Sequence, residues 1–171
     1  EIDDITFGYT PEKTILKNVS VTATKGQTVA IVGLPIAIND SLYDCAAVVA
    51  QGEILGIIPK TYIPNSGTMN DNRWFESAAK LDPTEISIAG GYVQVDKDLL
   101  FDIDGVRFGI EIGEDLCSPT PPSVQQALGG AQLIFSLAAT AERAGNRSYT
   151  EQLVKQHSAR THSAYIYSSA G

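Results

Sequence analysis

Residues 44–60 read "DCAAVVAQGEILGIIPK", two almost uninterrupted apolar runs on either side of Gln51-Gly52. A two-residue link ending in glycine between such arms specifies a β-hairpin. Arms that are apolar on both faces need cover on both faces, so an open sheet with one wet side is excluded. The pattern downstream supplies that cover. "DLLFDID" and "VRFGIEI" read as strands meeting at Asp104-Gly105, and "PPSVQQALGG" has proline at the start of a helix and glycine past its end. "AQLIFSLA" reads as a buried strand, "RSYTEQLVKQHSARTH" as an amphipathic helix with Tyr149, Leu153 and Val154 inward, and "SAYIYSSAG" as a last strand. Upstream, "IDDITFGY" and "ILKNVSVTAT" read as an antiparallel layer that feeds the buried strand "TVAIVG". Residues 61–91 read as one long irregular stretch, a length that is usually functional. Hairpins followed by β-α-β-α-β give a layered α/β domain.

A chain of 171 residues suits one domain. Its net charge of −8 argues against a nucleic-acid partner, and no apolar run approaches the roughly 18 residues needed to span a membrane. Two thiols, Cys45 in an apolar run and Cys117, suggest a reducing, cytoplasmic setting. His157 and His162 lie on one helix without a Cys/His cluster; they read as surface histidines, and neither a metal nor a cofactor is expected. The acidic start "EIDDITFGYT" is unlike a secretory signal, and the lack of a first Met reads as an excerpt or a recombinant product.

Residues 1–33, "EIDDITFGYTPEKTILKNVSVTATKGQTVAIVG", resemble the opening of an exporter-type ATP-binding cassette. The resemblance implies that Tyr9 stacks on adenine and that Gly33 opens a phosphate-binding loop. The chain continues "GLPIAINDS", without the second glycine and the lysine that cradle phosphate, so phosphate binding is not expected.

From about residue 33 to 171 the chain resembles the nitrilase-like glutaminase domain of glutamine-dependent NAD synthetases. The stretches that carry it include "SLYDCAAVVAQGEILGIIPKTYIPN", "NRWFESA", "LLFDIDGVRFGIEI-EDL", "GGAQLIFSLAAT" and "LVKQHSARTHSAYIYSSAG". That family implies an αββα sandwich and a Cys–Glu–Lys triad: thiol attack on an amide, a carboxylate base, and a lysine that stabilises developing charge. Lys60 matches the lysine. Gly113 stands at the nucleophile's place, and Cys117 stands where the family has tryptophan. The glutamate would lie in an N-terminal region that the cassette-like segment replaces. Ser66, Thr68, Met69, Asn70 and Asp71 depart from an aromatic-rich loop pattern, Asp44 stands for Asn, and Ser136 for Asn.

The expectation is therefore a single domain, 1–33 cassette-like and 34–171 nitrilase-like. It is a truncated αββα half with an added N-terminal β segment. Its function is expected to be that of a recombined, engineered chain with no intact catalytic site, not an enzyme. Two other readings stand beside it: a weak amidase using Cys117 and Lys60, and a module binding adenine nucleotide through Tyr9 or glutamine in the old pocket. Glu114 and Asp115 are expected to serve the turn or the following helix, and Arg73-Trp74-Phe75 to anchor the long loop. Exposed strand edges or apolar helix faces are expected to favour a homo-oligomer.

Overall fold

Four two-residue links with positive φ at both positions, Asn39-Asp40, Gln51-Gly52, Ala89-Gly90 and Asp104-Gly105, turn the described hairpins. Their twist matches that of the strands they join. The computed structural model describes residues 2–10, 13–21, 29–66, 69–139 and 145–170, with side chains described from residue 29 onward except at 66 and 69.

β1 (Ile2–Thr10) and β2 (Lys13–Val21) pair antiparallel with each other. Among the described residues they share no ladder with another sheet. β3 (Val29–Ile38) runs antiparallel to β4 (Ser41–Ala50) along its whole length, from Val29 opposite Ala50 to Ile38 opposite Ser41. The expected join at residue 33 thus falls inside one continuous strand. β5 (Glu53–Pro59) returns along β4.

Residues 61–91 are not one irregular stretch. They hold the short ladder of β6 (Asn65–Ser66) and β7 (Met69–Asn70), then β8 (Thr84–Ile88), which pairs with β9 (Gly91–Val95). In "TEISI" alternate side chains are half-buried, so Ile86 and Ile88 pack while Glu85 and Ser87 face water. β9 joins β5 in parallel, giving a five-stranded sheet in the order β3-β4-β5-β9-β8. The second sheet begins with the hairpin of β10 (Phe101–Ile103) and β11 (Val106–Ile112). Helix α1 (Pro122–Leu128) leads to β12 (Leu133–Ala138), and α2 (Asn146–Thr161) to β13 (Ala164–Ser169). β11, β12 and β13 are parallel.

The sheets face each other. Ala46, Val48 and Ile58 of the first pack with Phe101, Phe108, Ile110 and Ile112 of the second. Phe108 lies at the centre, stacked on Phe101 and edge-on to Phe135. Alternate residues of the first sheet, among them Ile36, Tyr43, Cys45, Ile57 and Val95, form a second cluster with Ala78 on its other face. Full burial of a side chain such as Ile110 contributes about 2 kcal/mol.

α1 lies close on β11, where a Cβ on Gly109 would collide with the Gln126 side chain. The Gln126 amide donates to the carbonyls of Ile110 and Lys97. The architecture is mixed α/β, with the described α-helices packed on the second sheet, α1 on β11 and α2 on β13, as the sequence pattern implies.

Three expectations are corrected. His157 is buried rather than on the surface, because its Nε2 lies 2.7 Å from Ser123 Oγ of α1 and its ring meets Tyr165 edge-on. Trp74 is 73% exposed, so it does not anchor the loop; that segment is held instead by backbone bonds, Trp74 and Phe75 to the Asp71 carbonyl and Glu76 to that of Leu42. Tyr149, near the start of α2, is exposed rather than inward, whereas Leu153 and Val154 are half-buried.

Candidate functional site

Lys60 follows the last residue of β5, and its backbone N–H donates to the Asp44 carbonyl while its own carbonyl accepts from Ala78. Hairpin register therefore sets Asp44 beside it. Only 5% of Lys60 is exposed. A bare ammonium cannot be held at such depth without partners. Three carboxylates supply them: Glu114 Oε2 at 3.3 Å, Asp44 Oδ2 at 3.6 Å and Asp71 Oδ2 at 4.0 Å from Nζ. Lys60 is thus a buried, paired cation, and Glu114 belongs to this cluster rather than to the next helix. Burial raises the Asp44 carboxyl above its ordinary range, Lys60 opposes that, and the charges on Asp71 and Glu114 add to it.

β11 ends at Ile112, and Gly113 opens a 3-10 turn, Gly113–Cys117. Gly113 has φ of +56°, the left-handed region that glycine adopts without strain. A Cβ placed there would stand 3.2 Å from Lys60 Nζ. The turn therefore aims position 113 at the ammonium. Asp115, 1% exposed, accepts from the backbone N–H of Tyr62 at 2.7 Å and of Ile112 at 3.1 Å. Burial nevertheless pushes its carboxyl up to about 7, against those two bonds.

A small cleft of about 90 Å³ lies against the turn, lined by Gly113, Glu114, Cys117, Tyr149, Leu153 and Tyr167 among others. Cys117 is exposed on it, and its thiol is pushed up by burial and by the charges of Glu114 and Glu111, which disfavours the thiolate. Beneath the turn, buried Glu111 accepts from Tyr165 Oη and from the Ser123 backbone, tying β11 to β13 and α1. Cys45 lies in the core on the other face of the first sheet, and burial pushes its thiol up to about 12.

Lys60, Gly113, Glu114 and Asp44 come together, and Cys117 lines the adjoining cleft. Asp71, at the loop position read as a departure, also reaches Lys60. Thr68 and the side chains of Tyr9, Ser66 and Met69 lie outside the described residues. Ser136 is buried on β12, with its side chain beside that of Tyr165. Among the described residues no Cys, His, Asp or Glu group is arranged to hold a metal ion, and no helix is long and apolar enough to cross a membrane. Sequence reasoning missed the Asp115 bridge and the His157–Ser123 contact, since their partners lie 53 and 34 residues away.

No family model matches the chain. It is 34% identical over 146 residues to the glutamine-dependent NAD(+) synthetase of Mycobacterium bovis, covering 84% of this chain and 21% of that protein. A glutamine-dependent NAD(+) synthetase of Xylella fastidiosa is 25% identical over 170 residues, covering 94% of this chain and 28% of that protein. This alignment extends into the first 33 residues, which the cassette resemblance had claimed. A crystal structure of a glutamine-dependent NAD(+) synthetase from Cytophaga hutchinsonii superposes with a TM-score of 0.72 over 82% of this chain and 22% of that one, at 24% identity. The fold is shared with these synthetases, and the chain spans about a fifth of the length of the M. bovis relative. The comparisons correct the expectation that the chain is not an enzyme: the proteins it matches are enzymes by name.

Proposed function

We propose that this chain is a segment of a nitrilase-like glutaminase domain, similar as it is to glutamine-dependent NAD(+) synthetases, and that its site takes the side-chain carboxamide of glutamine. The observation that carries the reading is the 3.2 Å approach of a Cβ at Gly113 to Lys60 Nζ. A group presented from that position would meet a carbonyl carbon while Lys60 stabilises the negative charge that develops on its oxygen. Lys60 is pre-oriented for this by Glu114 and Asp44, and the cleft beside Gly113 gives the carboxamide its place.

The Gly113→Cys variant tests the reading. Treated with an electrophilic ketone analogue of glutamine, it is expected to gain one adduct at position 113. Excess glutamine should protect against the adduct, and Lys60→Met should slow its formation. Labelling indifferent to glutamine would remove the proposal.

A second reading is favoured by one observation, the presence of Cys117 on the same cleft. In it the native thiol adds to the carboxamide carbon and the C–N bond breaks, the thiol proton leaving with the nitrogen as ammonia and a thioester forming on Cys117, with Lys60 in the same role. Glutamine-protected labelling of Cys117 in the native chain would support that reading, and labelling that glutamine does not affect would exclude it. The division near residue 33 into a cassette-like and a nitrilase-like segment also remains a proposal. The β1–β2 ladder, which shares no pairing with another sheet among the described residues, supports it, and a join near residue 33 would lie within β3.

A further inference from the structure

Lys60 and Gly113 are 53 residues apart in sequence, follow strands of different sheets, and yet must hold a spacing of a few ångströms. Lys60 directly follows β5 of the five-stranded sheet, and Gly113 follows β11 of the other. The sheets meet through apolar side chains, which fix their separation but do not by themselves orient the segments beyond the strand ends.

We infer that Asp115 is a positioning residue that holds the segment following Lys60 against the turn at Gly113. Its two carboxylate oxygens are divided between the two sides. Oδ1 accepts from the Tyr62 N–H at 2.7 Å, two residues past Lys60; Oδ2 accepts from the Ile112 N–H at 3.1 Å, one residue before Gly113. The carboxylate is buried, and its own carbonyl accepts from the N–H and hydroxyl of Ser118, so the turn that carries it is itself held. Tyr62 is fastened a second time, its hydroxyl donating to the Thr120 carbonyl just past the turn. A carboxylate can accept from both backbone groups at once. A neutral amide in its place accepts on one side only and presents a donor to the other.

The titratable groups around it are Lys60 and Tyr62 beyond β5, Glu111 on β11, Glu114 and Cys117 on its own turn, and Tyr165 on β13. Of these, Lys60 favours the ionised carboxylate and Glu111 opposes it. Protonation of Asp115 weakens both bonds together, so the spacing at the site is coupled to the state of one carboxyl. The inference rests on the reading of Lys60 and Gly113 as the site, and its test separates the two.

In the native chain, amide resonances of Tyr62 and Ile112 followed by NMR against pH are expected to shift with one shared midpoint near 7. Asp115→Asn is expected to abolish that shared step. Independent midpoints, or a step that survives the substitution, would overturn the inference. In a second arm Asp115→Asn is added to Gly113→Cys, and alkylation of the thiol at 113 by iodoacetamide is measured across pH. Once folding is verified by circular dichroism, the thiol pKa is expected to rise by about one unit, a roughly tenfold loss of thiolate well below it. No change would overturn the inference. An ordinary thiol pKa in Gly113→Cys with Asp115 intact would instead count against the site reading, while the amide titration in the native chain would still stand or fall by itself.

Discussion

Gly113 and Lys60 face each other: the direction in which a side chain would leave Gly113 ends 3.2 Å from the lysine ammonium. The turn after β11 and the end of β5 are thus arranged around one point, and the three carboxylates about Lys60 fix its ammonium there.

The left-handed backbone at Gly113 has a direct cost for any other residue. Gly113→Ala is expected to lower stability by about 1–2 kcal/mol, from φ of +56° and the tight approach to Lys60. Urea denaturation checks this. Gly113→Ala is also the proper reference for Gly113→Cys, since both carry the same backbone strain.

Lys60→Met leaves Asp44, Asp71 and Glu114 without their shared cation. The loss is expected to be about 1–3 kcal/mol at pH 8, below the range for fully buried pairs because the carboxylates are partly exposed. Without Lys60 the Asp44 carboxyl rises further. The deficit relative to the native chain should then shrink as pH falls and Asp44 takes up its proton. Denaturation at pH 5 and pH 8 measures it; equal deficits would count against the cluster.

Two buried groups give the stability profile opposing arms. Asp115 has a folded value of about 7 against 3.8, so the folded state keeps its proton longer. Stability from that group is full below about pH 4 and declines as pH rises towards 7, by at most about 1.4 kcal/mol per pH unit. His157 is lowered from 6.5, mainly by burial, so the unfolded chain takes its proton first and stability declines as pH falls below 6.5. Asp115→Asn is expected to flatten the first arm and His157→Gln the second, read from thermal melts across pH 4–8.

The thiols should differ in reactivity. Cys117 is exposed but disfavoured as a thiolate by burial and by Glu114, so maleimide is expected to label it slowly at pH 7. Cys45, fully buried, should react only on unfolding. Mass spectrometry with and without denaturant distinguishes the two sites.

Much of this architecture is legible where local chemistry is decisive. Gln51-Gly52 and Asp104-Gly105 carry glycine at the second turn position, and both hairpins are plain in the sequence. Asn39-Asp40 makes the same turn without glycine, so the extension of β3 to Ile38 is not evident. The β8–β9 hairpin hides in a five-residue alternation beside short polar segments. At the site, Lys60 and Gly113 can be read from a family pattern, but Asp44 reaches Lys60 only through hairpin register. Asp115 is visible as a turn residue, whereas its bond to Tyr62 depends on how the two sheets meet. His157 shows no sign of burial until Ser123 of α1 is set beside it.

The central claim is that Lys60 acts on whatever position 113 presents. The pH dependence of thiol alkylation in Gly113→Cys, compared with Gly113→Cys/Lys60→Met, tests it most directly. The expected result is a thiol pKa below the ordinary value of about 8.5, rising by about one unit or more when the lysine is removed. A thiol pKa at or above the ordinary value, unmoved by loss of Lys60, would contradict the claim.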